Sequence, residues 1–222
     1  MKRLIILFLL CVFFLSACGT EADQSREIWV KALDTLKQKA NYTVLENGCA
    51  SRYTPEAAFV EQNGEIHYFS KEGGICYVYV HNDDLDMWIR SEVADSDLYF
   101  FAYQQIERLN KISGFLDQEL LTYDPESQTF FGDNIPMTYV FRGKSHTPVH
   151  IEIRVEDGII VQLTETYWDE GNGSPVLQTD TVEFTDFYTT EVRLPLNRWD
   201  KSELEEFTNQ SENPTNPETN ER

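Results

Sequence analysis

Four histidines, His67, His81, His146 and His150, are the side chains best suited to move a proton or ligate a transition metal near neutral pH. None has a partner at metal-ligand spacing. His146 and His150 could approach one another at a strand start, but Pro148 lies between them and no cysteine is near, so zinc is not expected. Asp83, Asp84 and Asp86 fall in a hairpin turn that lacks the glycine and the terminal glutamate of an EF-type calcium loop; they read as solvated turn acids. Glu165, Asp169 and Glu170 read likewise as the wet end of a strand. The Gly-x-Ser-x-Gly elbow, the phosphate-cradling Gly-Lys-Ser/Thr loop and the His-Glu-x-x-His helix are all missing. With 38 acidic residues in the chain, a pair of neighbouring carboxylates arises by chance and identifies nothing. We therefore expect no catalytic residue, no metal site and no cofactor.

Sulfur offers the remaining chemistry. Of four cysteines, Cys11 sits in an apolar run and Cys18 directly after it, leaving Cys49 and Cys76 as an even pair. A bridge between them would close a loop worth about 3–4 kcal/mol by loop entropy. The alternative is two buried thiols that never meet. We expect the disulfide, since each cysteine lies in a strand-like segment and a sheet can set such segments side by side.

The elements that would carry these groups follow from periodicity. Between Ser25 and Ala40, Ile28, Trp29, Ala32, Leu33 and Leu36 repeat at helical spacing, with Asp23 or Ser25 as cap and Lys37 and Lys39 suited to the carboxyl end. Strands follow: Tyr42 to Tyr53, Ala57 to Gln62, Glu65 to Ser70, Ile75 to Val80 and Leu85 to Arg90. Asn63-Gly64, Gly73-Gly74 and Asn82-Asp83-Asp84 turn the chain between them into an antiparallel meander. Asp95 to Ile112 returns to helical spacing, with Ser96 or Asp97 as cap and Gly114 as stop. After Gln118 to Tyr123, Gln128 to Phe131 and Met137 to Arg142, the stretch Val149 to Val155 alternates apolar and polar. Glu156-Asp157-Gly158 then turns into Ile159 to Trp168, where Ile159, Val161 and Leu163 continue the alternation. Leu177 to Tyr188 and a short last piece ending at Leu194-Pro195 complete the sheet, which has one apolar and one wet face. Beyond Trp199, Asp200 to Phe207 suits one or two helical turns, and Thr208 to Arg222 is rich in Asn, Glu, Thr and Pro with no apolar residue, which cannot bury enough surface to fold.

An aromatic cluster lies between residues 68 and 141. Core packing accounts for most clusters of this kind; lining a cavity for an apolar ligand is the alternative. The lining residues would be Tyr68, Tyr77, Tyr79, Trp88, Phe101, Tyr139 and Phe141.

The amino terminus specifies location. Met1-Lys2-Arg3 is basic, Leu4 to Phe14 is apolar, and small residues precede Cys18. This is the layout of an export signal, too short for a bilayer span of about 20 apolar residues. Leu15-Ser16-Ala17-Cys18 resembles the lipobox of bacterial lipoproteins. The resemblance implies cleavage between Ala17 and Cys18 and a diacylglyceryl thioether on Cys18. It places the protein on the extracytoplasmic face of a cell membrane, held by its acyl chains. Cleavage removes Lys2 and Arg3, so 16 basic residues face 38 acidic ones, a net charge of −22. Such a chain repels nucleic acid and anionic headgroups.

Helix, long meander, second helix, second meander and an Ile-Glu-Ile-Arg-Val-Glu-Asp-Gly-Ile-Ile-Val hairpin before Leu194-Pro195 are similar to the half-barrel lipoproteins of the LolA and LppX type. That resemblance implies an α+β fold, a curved antiparallel β-sheet packed on two or more α-helices around an apolar cavity that takes acyl chains. The organisation expected is a signal peptide over 1–17, a lipid-anchored tether over 18–24, a half-barrel domain over 25–199 and an acidic tail over 200–222. Its partners would be the membrane, through Cys18, and a lipid or acyl ligand; an interaction or sensory module with no small ligand is the other reading.

Overall fold

The computed structural model describes residues 21–39, 41–62, 64–169 and 175–205. In chain order its elements are α1 (Glu21–Lys37), β1 (Tyr42–Glu46), β2 (Cys49–Tyr53), β3 (Ala57–Gln62), β4 (Glu65–Glu72), β5 (Ile75–Asn82), β6 (Met87–Val93) and α2 (Asp95–Leu116). They continue with β7 (Thr122–Asp124), β8 (Thr129–Asp133), β9 (Tyr139–Phe141), β10 (Lys144–Glu156), β11 (Ile159–Asp169), β12 (Val176–Thr185) and β13 (Arg198–Asp200). The architecture is α+β, dominated by open and almost wholly antiparallel sheet. Residues 1–20 and 206–222, which hold Ala17, Cys18 and most of the acidic tail, lie outside the described set, as does Glu170.

The chain divides into two compact units. The first contains 21–39, Val44–Gly48 and Gln104–Thr185, with strand order β1-β12-β11-β10-β8-β7 and β9 beside β10. Helix α1 lies against β11 and β7. Its inner stripe is Trp29, Ala32, Leu33 and Leu36, all buried, at the i, i+3, i+4, i+7 spacing of one helix face. Trp29 donates its indole N–H to Ser113 Oγ at 2.7 Å and meets Phe130 edge-on at 5.3 Å. Ile151, Ile153, Ile160, Leu163, Val182 and Phe184 supply the sheet side of this core, each worth roughly 1.5–3 kcal/mol of burial. The helix begins by Glu21, four residues ahead of the segment expected from Ser25.

The second unit contains 41–43, Cys49–Tyr103 and 186–205, with order β13-β6-β5-β4-β3-β2. The meander expected from β3 to β6 is present, each neighbouring pair antiparallel.

Several expectations are corrected. The single strand from Tyr42 to Tyr53 is two strands, because Asn47 and Gly48 take φ of +49° and +87°, the pair of left-handed residues that a type I′ hairpin turn requires. Gly114 does not stop α2, which runs to Leu116. The stop comes from Glu119 at φ +58°, with Leu120 N–H bonded back to Phe115 C=O at 2.9 Å, a left-handed carboxyl-terminal cap. No strand forms at Leu194-Pro195; the last strand among the described residues is β13, and it runs parallel to β6. The expected disulfide is not formed. Cys49 is on β2 and Cys76 on β5, with β3 and β4 between them, three strand spacings of about 4.8 Å each, whereas a bridge needs Cα atoms within about 7 Å.

Gly132 marks the tightest approach in the first unit. A Cβ there would lie 2.4 Å from Leu120 O and 2.7 Å from a Leu121 methyl. Gly132→Ala should therefore destabilise the protein by about 1–3 kcal/mol, read as a lower urea midpoint at unchanged m-value.

Candidate functional site: a buried ionic cluster and a groove

Arg108 and Glu165 are both fully buried in the first unit. Arg108 projects from α2 on the stripe it shares with Ile112 and Phe115, at i, i+4 and i+7. Its Nη2 donates to Glu165 Oε2 at 2.5 Å and its Nε to the same oxygen at 3.1 Å. The Tyr139 hydroxyl, on β9, also donates to that oxygen and accepts from Arg108 Nε at 3.1 Å. Asp180, opposite Glu165 on β12, takes Arg108 Nη2 at 3.3 Å and Asn47 Nδ2 at 3.1 Å. His146 is buried beside them, its Nδ1 3.7 Å from Glu165 Oε2, too far for a hydrogen bond, and its ring stacked on Tyr167 at 3.9 Å. Phe141 closes the cluster, its ring 4.9 Å from the Arg108 guanidinium.

Two bulges put these groups indoors. Strand β10 carries an extra residue between Pro148 and His150, and β11 an extra residue between Ile160 and Gln162. Each extra residue reverses which side chains face the core. On β10 the inward set changes from His146 and Pro148 to Ile151, Ile153 and Val155; on β11 it changes from Ile160 to Leu163, Glu165 and Tyr167. The alternation expected through Ile159, Val161 and Leu163 is thus corrected, since Ile160 is buried and Ile159 and Val161 are not; the alternation expected from Val149 onward holds at Ile151, Ile153 and Val155, with Val149 itself the extra, half-buried residue. So is Glu165, which is a core carboxylate and not a wet strand end.

Burial would raise the Glu165 carboxyl, but the Arg108 charge and the Tyr139 hydroxyl hold it below its ordinary value. Burial disfavours the Arg108 charge, and the Tyr139 oxygen and Glu165 outweigh it, leaving the guanidinium more basic than usual. Tyr139 is pushed up, by burial first and by Glu165 next. A carboxylate with three donors on one oxygen is a weak base and its phenol a weak acid, so neither is poised for proton transfer near neutrality. The arrangement is an electrostatic lock joining α2, β9, β11 and β12.

The residues expected to line a cavity divide between the units. Tyr139 and Phe141 are buried against Arg108. By register, Tyr68 and Tyr79 are direct cross-strand neighbours on one face of the second unit, with Tyr77 and Trp88 two residues along on that face. Tyr68 meets Trp88 at 5.0 Å and Phe59 at 5.2 Å, edge to face. Tyr79 is fully buried, its hydroxyl shared with Ser70 at 2.9 Å and Glu72 at 3.0 Å. Phe101 is on α2, with its side chain outside the described set. Among the described residues no group of three or more His, Cys, Asp or Glu is arranged to hold a metal ion.

A groove of about 420 Å³ opens in the first unit, walled by Ala22, Ser25 and Ile28 of α1 and by Leu121, Tyr123 and Pro125. Apolar surface lies within it, and the exposed polar groups of Gln24, Glu119 and Thr122 complete its lining.

Neither the protein-family models nor the curated proteins contain a match to this chain.

Glu165→Leu should cost about 3–5 kcal/mol by stranding a buried guanidinium. Arg108→Met with Glu165→Leu together should cost less than the two single changes summed, the coupling read from a double-mutant cycle in urea. Glu165 also sets an acid limb. With its folded pKa depressed below the ordinary 4.5, its stabilisation is present above that value and is lost as pH falls through the folded pKa. Glu165→Gln should flatten the stability–pH curve below about pH 4.5, whatever its effect at pH 7.

Proposed function

We propose that the protein is a lipid-anchored, extracytoplasmic membrane lipoprotein whose folded part binds an apolar ligand, an acyl chain or a lipidated client, without transforming it. The observation that carries this reading is the groove's position. Its α1 wall begins at Ala22, four residues after Cys18, so the chain from the anchored sulfur to the groove spans at most about 14 Å. A site so close to the bilayer meets hydrocarbon as its most abundant partner. Burying each methylene there contributes about 0.8 kcal/mol, and Gln24, Thr122 and Glu119 in the lining offer polar groups to an amphipathic guest. The open antiparallel sheet with α1 against β11 supports reading the fold as a half-barrel in which an apolar guest lies against a helix rather than in a closed barrel lumen.

A second reading, an interaction module for another envelope protein, draws on the second unit, where Phe59, Tyr68, Trp88 and His81 form a partly exposed edge-to-face row.

Cys18→Ser should move the protein from the membrane to the soluble fraction, and intact mass of the unaltered protein should show the loss of residues 1–17. Native mass spectrometry of the Cys18→Ser chain from its host should show a bound acyl-bearing molecule, released by Ile28→Glu in the groove wall. Retention of residues 1–17, or firm attachment without Cys18, would end the tether; a ligand-free spectrum would favour the interaction reading.

A further inference from the structure

The second unit presents a carboxylate receptor at its sheet edge, and the chain itself fills it. Arg90, on β6, donates Nε and Nη2 to the two oxygens of Asp200 at 2.6 and 2.7 Å, a bidentate fork. What holds Arg90 in place comes from elsewhere in the sheet. Its Nη1 donates to Glu72 Oε2 at 3.0 Å, and its guanidinium lies 4.4 Å from the Tyr77 ring. Glu72 ends β4 and Tyr77 is on β5, so two of the contacts that aim the fork come from strands other than β13, although Arg198 of β13 also reaches Glu72 Oε1 at 4.0 Å. Those two contacts remain when Asp200 leaves and favour a receptor that keeps its shape.

Its occupant is a short strand, anchored besides by Arg198, which lies 4.0 Å from Glu72 Oε1 and 5.6 Å from the Tyr79 ring, and by Asn197 Nδ2, which donates to Asp86 O at 3.4 Å. Strand β13 pairs three residues, Arg198 with Trp88, Trp199 with Ile89 and Asp200 with Arg90, along a β6 of seven. It is also parallel, while every neighbouring pair in this meander is antiparallel, so it arrives as a docked segment rather than as the next turn of the chain. The segment before it, 190–197, has no regular structure, and Leu196 is 99% exposed. Trp88 N–H bonded to Asn197 C=O at 3.2 Å extends the main-chain contact by one bond. Main-chain pairing for affinity and a side-chain receptor for specificity is the physics of strand addition.

We propose that the β6 edge is a docking site for an extended, carboxylate-bearing peptide segment of another protein, and that Arg198–Asp200 occupies it in cis as a competitor. The partner adds as a parallel strand beside Trp88–Arg90 and places an Asp or Glu side chain on Arg90. Because the cis segment is tethered, its effective concentration is high, and a partner binds only as the segment leaves. This site is separate from the groove, so its fate does not depend on what the groove binds.

The test uses the full chain and a fluorescent peptide of residues 195–203. Asp200→Ala should raise the peptide's affinity at least tenfold over the unaltered chain. A peptide with Asn in place of its aspartate should lose that gain, and so should the double variant Arg90→Gln, Asp200→Ala. Amide hydrogen exchange over 88–90 and 198–200 reports whether the cis segment has left. Trp199→Pro, which disrupts β13 pairing while leaving Arg90 intact, serves as the second variant should Asp200→Ala stay docked. Release of the segment in either variant without tighter peptide binding overturns the proposal. So does a segment that neither variant displaces, or binding that does not depend on Arg90.

Discussion

A buried guanidinium needs a counter-charge, and most of the first unit is arranged around that need. Arg108 has no access to water, and desolvating it costs several kcal/mol before any partner is found. Glu165, Tyr139 and Asp180 offset that cost from three different strands. The benefit lies in selectivity more than in net stability. If β11 slipped by one residue, Thr164 or Thr166 would take the place of Glu165 and leave Arg108 with a single, partly exposed counter-charge. A slip that already turns Leu163 and Tyr167 away from the core here also strands a charge. Asp180 extends the constraint to the Asn47 turn, whose side chain binds both the Asp180 carboxylate and the Thr181 N–H.

Both units use an arginine held between two carboxylates, but in different surroundings. Arg108 is sealed, with aromatic rings around it. Arg90 is at a sheet edge, its side chain 18% exposed and those of Asp200 and Glu72 32% and 40%. The same fork chemistry is thus sealed from water in one place and within its reach in the other.

Much of the fold was legible because local signals agreed with the final structure. The stripe through Trp29, Leu33 and Leu36, the turns at Gly73-Gly74 and Asp157-Gly158, and the meander from Ala57 onward all form as their spacing requires. Asn47-Gly48 was equally readable and lay inside a run that looked continuous. The ionic cluster was not legible in the same way. Arg108 sits on the helical repeat with Ile112 and Phe115, a signal for an inward position, but a charged residue there is ordinarily discounted. His146 was hidden by parity: counting twos back along β10 from Val149 places it outside, and only the bulge brings it in. Glu165 shares the parity of Ile159, Val161 and Leu163, so counting twos places it inside, and it was passed over because a carboxylate is ordinarily expected in water. The missing disulfide has a similar origin, since strand-like surroundings for two cysteines do not say how many strands separate them.

The two bulges lie on opposite strands of one hairpin and cancel. Pairing around His146 and pairing around Glu156 share one offset, and only 150–154 against 162–166 is displaced from it. The hairpin therefore carries a constraint on chain length that no side chain expresses. Val149 and Val161 are half-buried and make modest demands on residue type, yet neither can be deleted alone without turning part of the ionic cluster toward solvent. Across any lineage that keeps this core, exchanges at those two positions should be common, and insertions or deletions should appear only in compensating pairs.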